Sequence, residues 1–323
     1  MIALSQLTSI LFCTLLVCNL SCNSVNQKEL KIDDPGNRQI GTYIVDIYEA
    51  KNGDLYFATL SNGVCIYDGN EFRFVSKKDG LAGNSVVKTI EDKHGNFWFA
   101  TQSGLTKYDG KTFTNFYQED GLIENRLSTL MIDSDDNLWI GTIQGLGRYE
   151  TQTDRFVNYL NIPSDSTSIS SNVIRQVFRD SKGRLWVGTT VGLNLYQSKS
   201  DNFKRFYIKD TLNTSVTNKE VKAIFEDSDH QLWLGTNNGL YKLSENDNGH
   251  HRFKRVDNSG YIQLSDTHIK SIVEDQNGNL WVGTENGGLN YWDRTKKKIT
   301  IYKSSISNPN SLSHNSIRSM VMD

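Results

Sequence analysis

The chain has 323 residues, 35 basic and 37 acidic, for a formal net charge of −2, so no global electrostatic attraction draws it to nucleic acid. Three prolines, 25 glycines and 11% aromatic residues exclude a disordered chain and suit a turn-rich β protein. Cys65 alone of the four cysteines lies beyond residue 22, which excludes an internal disulfide framework and a cysteine zinc site.

Residues Ile2 to Leu20 are almost wholly apolar and end at Leu20-Ser21-Cys22, after which the chain turns polar. This reads as an export signal over 1–22. A small residue before cysteine gives it the look of a bacterial lipoprotein signal, with Cys22 as the lipidation candidate. An ordinary cleaved signal and an uncleaved anchor stay open, since the run is just long enough to span a bilayer. Residues 23–40 form a polar linker, and 41–323 carry everything that repeats.

The repeat is set by Trp98, Trp139, Trp186, Trp233 and Trp281, spaced 41 to 48 residues apart, each inside a near-copy of one phrase. The copies read GNFWFATQSGLTKYD, DNLWIGTIQGLGRYE, GRLWVGTTVGLNLYQ, HQLWLGTNNGLYKLS and GNLWVGTENGGLNYWD, after a degenerate first copy, GDLYFATLSNGVCIYD, with Tyr56 at the Trp place. Six residues before each Trp stands an aspartate: Asp92, Asp133, Asp180, Asp227 and Asp275. A short apolar strand precedes it, as at Val86 and Ile90 or Ile174 and Phe178, and turn residues such as His94-Gly95-Asn96 lead into the Trp strand. Gly-Thr or Ala-Thr ends that strand, Gly-Leu opens a third, and a variable fourth follows, as at Phe113 to Tyr117. Four short strands in about 45 residues make one blade of a β-propeller.

The expected fold is therefore all-β: a propeller of four-stranded blades, six blades visible plus the first strand of a seventh. The small residue at Ala58, Ala100, Gly141, Gly188, Gly235 and Gly283 lets one sheet approach the next. The five repeat tryptophans are read as core, whereas Trp292 lies outside the repeat position. At the C-terminus NSIRSMVMD brings Asp323 onto the repeated aspartate, so the propeller reads as incomplete there, the front of a seven-bladed ring in a longer chain, with six blades closed by that added strand as the alternative.

The LW-(I/V/L)-GT-x-x-GL blocks, the connectors KKDGLAGNSV and QEDGLIENRL, and SNPNSLSHNSI near the end resemble the two-component regulator propeller family over nearly everything from Thr42 to Asp323. The resemblance implies an extracytoplasmic sensory propeller of Bacteroidetes hybrid histidine kinases or related lipoproteins, membrane-anchored, often followed by a second propeller, a β-sandwich, a membrane span and a kinase. It implies no enzymatic activity for these residues and no cofactor. It also implies an oligosaccharide or other small solute, acidic or neutral, as ligand. A homodimer is left open.

Because strands in a blade alternate in direction, the loop after the Trp strand and the connector between blades emerge on one face. Gln144, Asn237 and Glu285 represent the loops there. The connectors bring Asn84, Asn125, Asn172 and Asn315, expected to be local turn residues rather than ligand contacts. Five residues before each aspartate, and before Ala50 in the degenerate first copy, the chain reads Val45, Val87, Ser128, Arg175, Lys222, Lys270 and Arg318. Four successive cations at one equivalent position form an arc suited to carboxylates or sulfates of an acidic glycan, with an ordinary solvated strand end as the alternative. Asp133-Ser134-Asp135-Asp136-Asn137 has the oxygen density of a calcium loop but lacks its glycine and distal glutamate, so a hairpin turn is expected. His250-His251 brings no third metal ligand within reach. No GxSxG, HExxH or Walker motif occurs. A lyase or hydrolase on the loop face and an interaction scaffold remain as alternative readings, since fold does not fix function.

Overall fold

The computed structural model describes residues 43–206, 220–245, 251–256, 258–259 and 262–322. The export segment, the linker, Cys22, His250 and Asp323 lie outside them. Six four-stranded antiparallel sheets follow one another, each a meander from inner to outer strand. Their inner strands are Ile44–Glu49, Val86–Glu91, Leu127–Ile132, Ile174–Arg179, Val221–Glu226 and Ile269–Glu274, which open blades one to six of a β-propeller. Among the described residues no helix is long and apolar enough to cross a membrane.

Each blade sends its Trp strand into the next blade. Trp98 packs with Leu127 and Leu138 of blade three, Trp139 with Ile174 and Leu185 of blade four, and Trp233 with Ile269 and Leu280 of blade six. The five repeat tryptophans are at most 5% exposed, which bears out their reading as core. Trp292 joins them at 7% exposure, edge-on to Trp233 at 5.7 Å. The small residue after the Trp pair has the expected cause. A β-carbon added at Gly141, Gly188, Gly235 or Gly283 would come within 2.8 Å of Ile174, Val221, Ile269 or Ile317, the first inner-strand residue of the blade ahead. Overfilling so tight an approach strains both sheets.

The recurrent aspartate holds the hairpin turn and the tryptophan together. Asp92 accepts from the His94 and Asn96 backbone N–H groups, both at 2.9 Å, and from the Trp98 indole at 3.1 Å. The indoles of Trp139, Trp186 and Trp233 donate in the same way to Asp133, Asp180 and Asp227, all at 2.8 Å. Burial pushes the Asp92 carboxyl up, but donors on Asn96, Trp98 and His94 outweigh it and hold it below the usual carboxylate range. The turn needs one left-handed residue, supplied by Gly95 (φ 81°) and Gly183 (φ 75°) and, where glycine is missing, by Asp136 (φ 69°) and His230 (φ 58°). The acid-rich segment after Asp133 is therefore the same hairpin turn as its counterparts, with its first carboxylate spent on Asp135, Asn137 and Trp139.

Neighbouring blades are also stitched at this end. The backbone N–H of the residue after the aspartate, or after Ala50 at the same place in blade one, donates to a glutamate of the following blade: Lys51 to Glu91 at 3.0 Å, and Ser181 to Glu226 and Ser228 to Glu274, both at 2.6 Å.

Residues 315–322 take the place of a seventh inner strand. Ile317 fills the notch at Gly283, its N–H donates to Thr284 at 2.9 Å, and Ser271 Oγ donates to its carbonyl at 3.2 Å. Trp281 and Leu289 of blade six pack on Ile317 and Met320, while Val321 packs on Ile47, Phe57 and Cys65 of blade one. Among the described residues this segment touches both blade six and blade one.

Candidate functional site

Every inner strand carries a β-bulge at the same place. The pairing register slips between Ile44 and Asp46, Val86 and Lys88, Ile174 and Gln176, Val221 and Ala223, and Ile269 and Ser271, and at the matching point of blade three. The residue left unpaired is Val45, Val87, Ser128, Arg175, Lys222 or Lys270, which is the position of the cation arc. A bulge breaks the ladder for one residue and re-aims its side chain: Arg175, Lys222 and Lys270 reach charged partners there, whereas Val45 and Val87 pack into the blade interfaces and Ser128 Oγ donates to the Ile174 carbonyl at 2.8 Å.

The loop after each Trp strand arrives at that end too. Gln102 N–H donates to the Ser85 carbonyl at 2.9 Å, Thr190 to Val173 at 3.2 Å, Asn237 to Glu220 at 3.2 Å and Glu285 to His268 at 2.9 Å. Each pair joins the loop to the residue just before the inner strand. The connectors close over the same rim through their asparagines. Asn84, Asn125, Asn172 and Asn315 accept the backbone N–H of Lys77, Gln118, Asn161 and Ser304 at 2.6 to 3.0 Å, the local turn role expected of them.

On blades four to six the rim is a chain of alternating charge. Arg175 Nε meets Glu220 Oε1 at 2.5 Å, Lys222 Nζ lies 3.6 Å from both Glu220 and Glu285, and Lys270 Nζ pairs with Glu285. Burial raises the Glu285 carboxyl, but Lys270, Lys222 and Arg318 together hold it below the usual glutamate range. Arg318, on the seventh inner strand, forms no ion pair among the described residues. The structure thus brings Arg175, Lys222, Lys270, Glu285 and, beside them, Arg318 and Asn237 to one arc. Gln144 lies apart: it sits one residue further along its loop than Asn237 and Glu285, and its amide donates to Glu124 on the connector. Glu220, which sequence reading did not single out, is the anion between Arg175 and Lys222.

The other half of the rim is built differently. Val45, Val87 and Ser128 occupy the bulges, and Tyr43, 61% exposed, lies just before the first inner strand. Deeper, Asp46 is 5% exposed and bonds Lys88 Nζ at 2.7 Å and the Thr89 N–H at 3.1 Å across blades one and two. A separate open groove of about 420 Å³ lies outside the rim on blade four, lined by Thr167, Asn202, Lys204 and Arg205 among others. The Arg205 guanidinium there is spent on the Ser168 and Asp165 carbonyls, both at 2.7 Å. Among the described residues, no three of His, Cys, Asp and Glu gather as a metal site.

Six repeating four-stranded blades define the chain as a β-propeller. The family model for the two component regulator propeller matches residues 121–144, 168–190, 215–238 and 263–286. Each match runs from a connector or inner strand through the aspartate turn to the loop after Trp, so these blades are built from two-component regulator propeller repeats. No curated protein matches the chain in sequence. Among solved structures, the chain superposes on the extracellular domain of a one-component system of B. thetaiotaomicron with a TM-score of 0.67 at 20% identity, covering 87% of this chain and 36% of that one. A second structure of the extracellular domain of that same B. thetaiotaomicron protein, described as a hybrid two-component system, gives a TM-score of 0.67 at 20% identity, with 85% and 35% covered. The chain thus spans about a third of the length of these relatives. Virginiamycin B lyase of Staphylococcus aureus has a TM-score of 0.58 at 12% identity, with 81% and 85% covered.

Proposed function

We propose that this chain is the ligand-recognising propeller of an extracytoplasmic two-component sensor, and that its ligand, an oligosaccharide or similar solute, seats over the channel mouth. The observation that carries this reading is the set of bulges. Three successive strands place Arg175, Lys222 and Lys270 at one register, where they share Glu220 and Glu285, while the residues at that register in blades one to three are uncharged. The family of the repeats, and the likeness to extracellular domains of B. thetaiotaomicron systems, support the sensory assignment.

Titration calorimetry of the chain against neutral and acidic oligosaccharides is expected to give saturable binding to one glycan class. The double variant Arg175→Ala, Lys222→Ala is expected to weaken it by about tenfold or more, since each removes a charge-assisted bond. Specific turnover of a glycan by the purified chain would overturn the non-enzymatic reading and favour a propeller lyase or hydrolase. Retention at the membrane through the N-terminal segment, with Cys22 lipidated, belongs to the same reading. Cys22→Ser is then expected to move the expressed protein from the membrane fraction to the soluble periplasmic fraction, and unchanged fractionation would overturn the lipid assignment.

A further inference from the structure

Glu285 does not hold the fold together. The equivalent loop position is Gln102 in blade two, Ile143 in blade three, Thr190 in blade four and Asn237 in blade five, and the loop is fixed by its backbone: Glu285 N–H to His268 and Thr284 N–H to Gly288. The carboxylate itself is taken up by Lys270 and Lys222. Its side chain is 29% exposed, against 19% for Lys222 and 21% for Lys270. The cations are anchored on inner strands, and the anion rides on a loop. Ion pairs of this exposure are weak and screened by salt. Among the described residues the arc cations Arg175, Lys222 and Lys270 pair with Glu220 and Glu285, and Arg318 stands beside them, which leaves a surplus of positive charge there.

We propose that Glu285 is an internal stand-in for the ligand's anion: a carboxylate or sulfate on an oligosaccharide displaces it and takes over Lys222 and Lys270. This deepens the reading of the mouth as the ligand site and rests on it. Glu285 then sets specificity in two ways. It keeps Lys222 and Lys270 paired, so that a lone small anion gains little by exchange, and it is repelled by a bound anion, so its side chain must swing aside to complete the site. A ligand that adds ring contacts or further anions along the arc, toward Arg175 or Arg318, overcomes the competition. A simple anion does not.

The test is calorimetric binding by the chain and its Glu285→Gln and Glu285→Asn variants. The probes are tetragalacturonate, a sulfated tetrasaccharide, a neutral galactose tetramer and inorganic sulfate, at two salt concentrations. Both substitutions are polar and modest in size on a partly exposed loop, and asparagine is what blade five carries at this place; thermal unfolding of each variant checks that the fold is intact. The expected result is that both variants bind tetragalacturonate or the sulfated probe about five- to tenfold more tightly than the parent, with a steeper salt dependence. Lys222→Gln with Lys270→Gln is expected to abolish that binding. The two anionic probes distinguish a carboxylate ligand from a sulfate ligand. Unchanged or weakened anion binding in the Glu285 variants would overturn the inference. If the neutral tetramer nonetheless binds, the mouth still stands as a ligand site. Absence of binding to all probes by parent and variants alike would overturn both.

Discussion

Replacing Trp186 by alanine is expected to destabilise the propeller by about 3–5 kcal/mol, measured by chemical denaturation. The side chain is wholly buried between blades four and five, against Leu193, Val221, Ile224, Leu232 and Tyr241, and its ring lies 5.8 Å from Phe206. Two losses add. Truncation leaves a cavity that the stiff neighbouring sheets cannot close, and Asp180, only 3% exposed, loses the indole donor at 2.8 Å. The guanidinium of Arg184, 5.2 Å from the ring centre, loses its aromatic face as well. Trp186→Phe separates the terms: it keeps much of the ring volume but not the indole bond, so a loss of about 1–2 kcal/mol is expected. Trp281 supplies the control. Its indole N–H is buried with no hydrogen-bond partner among the described residues, so Trp281→Phe should cost less than Trp186→Phe. A loss below about 1 kcal/mol for Trp186→Ala would show that the blade interface is not packed as described.

Much of this architecture is written in the sequence because a propeller states its rules six times. The Trp period, the small residue two places on and the aspartate six places back are each readable, and each has the packing or turn role that its chemistry suggests. The mouth is less legible. Its cations stand out because Arg175, Lys222, Lys270 and Arg318 share one offset from the aspartate. Their anions do not, since Glu220 precedes an inner strand and Glu285 sits in a loop, and each reaches cations of two blades. The bulges that aim the arc have no glycine to mark them, because none of their residues takes a positive φ. Loop register was the other hidden quantity. Gln144 reads in sequence as a companion of Asn237 and Glu285, but the two-residue loop places Ile143 at their level and turns Gln144 to Glu124.

The two ends of the propeller therefore obey different logic. The aspartate turn end is made of repeated residues bonded to repeated partners, from Asp92 with Trp98 to Asp227 with Trp233. The mouth is made of residues that break the repeat. The same bulge holds the cations Arg175, Lys222 and Lys270 in blades four to six and packing residues, Val45 and Val87, in blades one and two.

The second large effect is expected at Arg148, where blades three and four are locked from outside. Arg148 is 13% exposed at its side chain; its guanidinium donates to the Tyr196 hydroxyl at 2.6 Å, to Asp201 at 3.0 Å and to Glu150 at 2.9 Å. It lies over Trp139 and Tyr159, 5.4 and 5.6 Å from the ring centres. Tyr159 and Tyr196 also donate to Asp201, both at 2.5 Å. Arg148→Ala empties an aromatic cage and leaves two carboxylates without their cation, at a cost of about 2–3 kcal/mol, the partial exposure of Asp201 lowering it from the value for a fully buried pair. Arg148→Met, which keeps the stem, should recover about 1 kcal/mol of packing. The charge contribution has a pH signature. Burial raises the Asp201 carboxyl, but Tyr159, Tyr196 and Arg148 outweigh it and hold it below the ordinary range. A group depressed on folding stabilises above its unfolded pKa, about 3.9, and the benefit is lost as pH falls through the lower folded value. The gap between parent and Arg148→Ala should therefore be widest near neutrality and narrow on acidification below about pH 4. An equal gap at pH 7 and pH 3 would assign the whole effect to packing against Trp139 and Tyr159, and none to the bridge from blade three to Asp201.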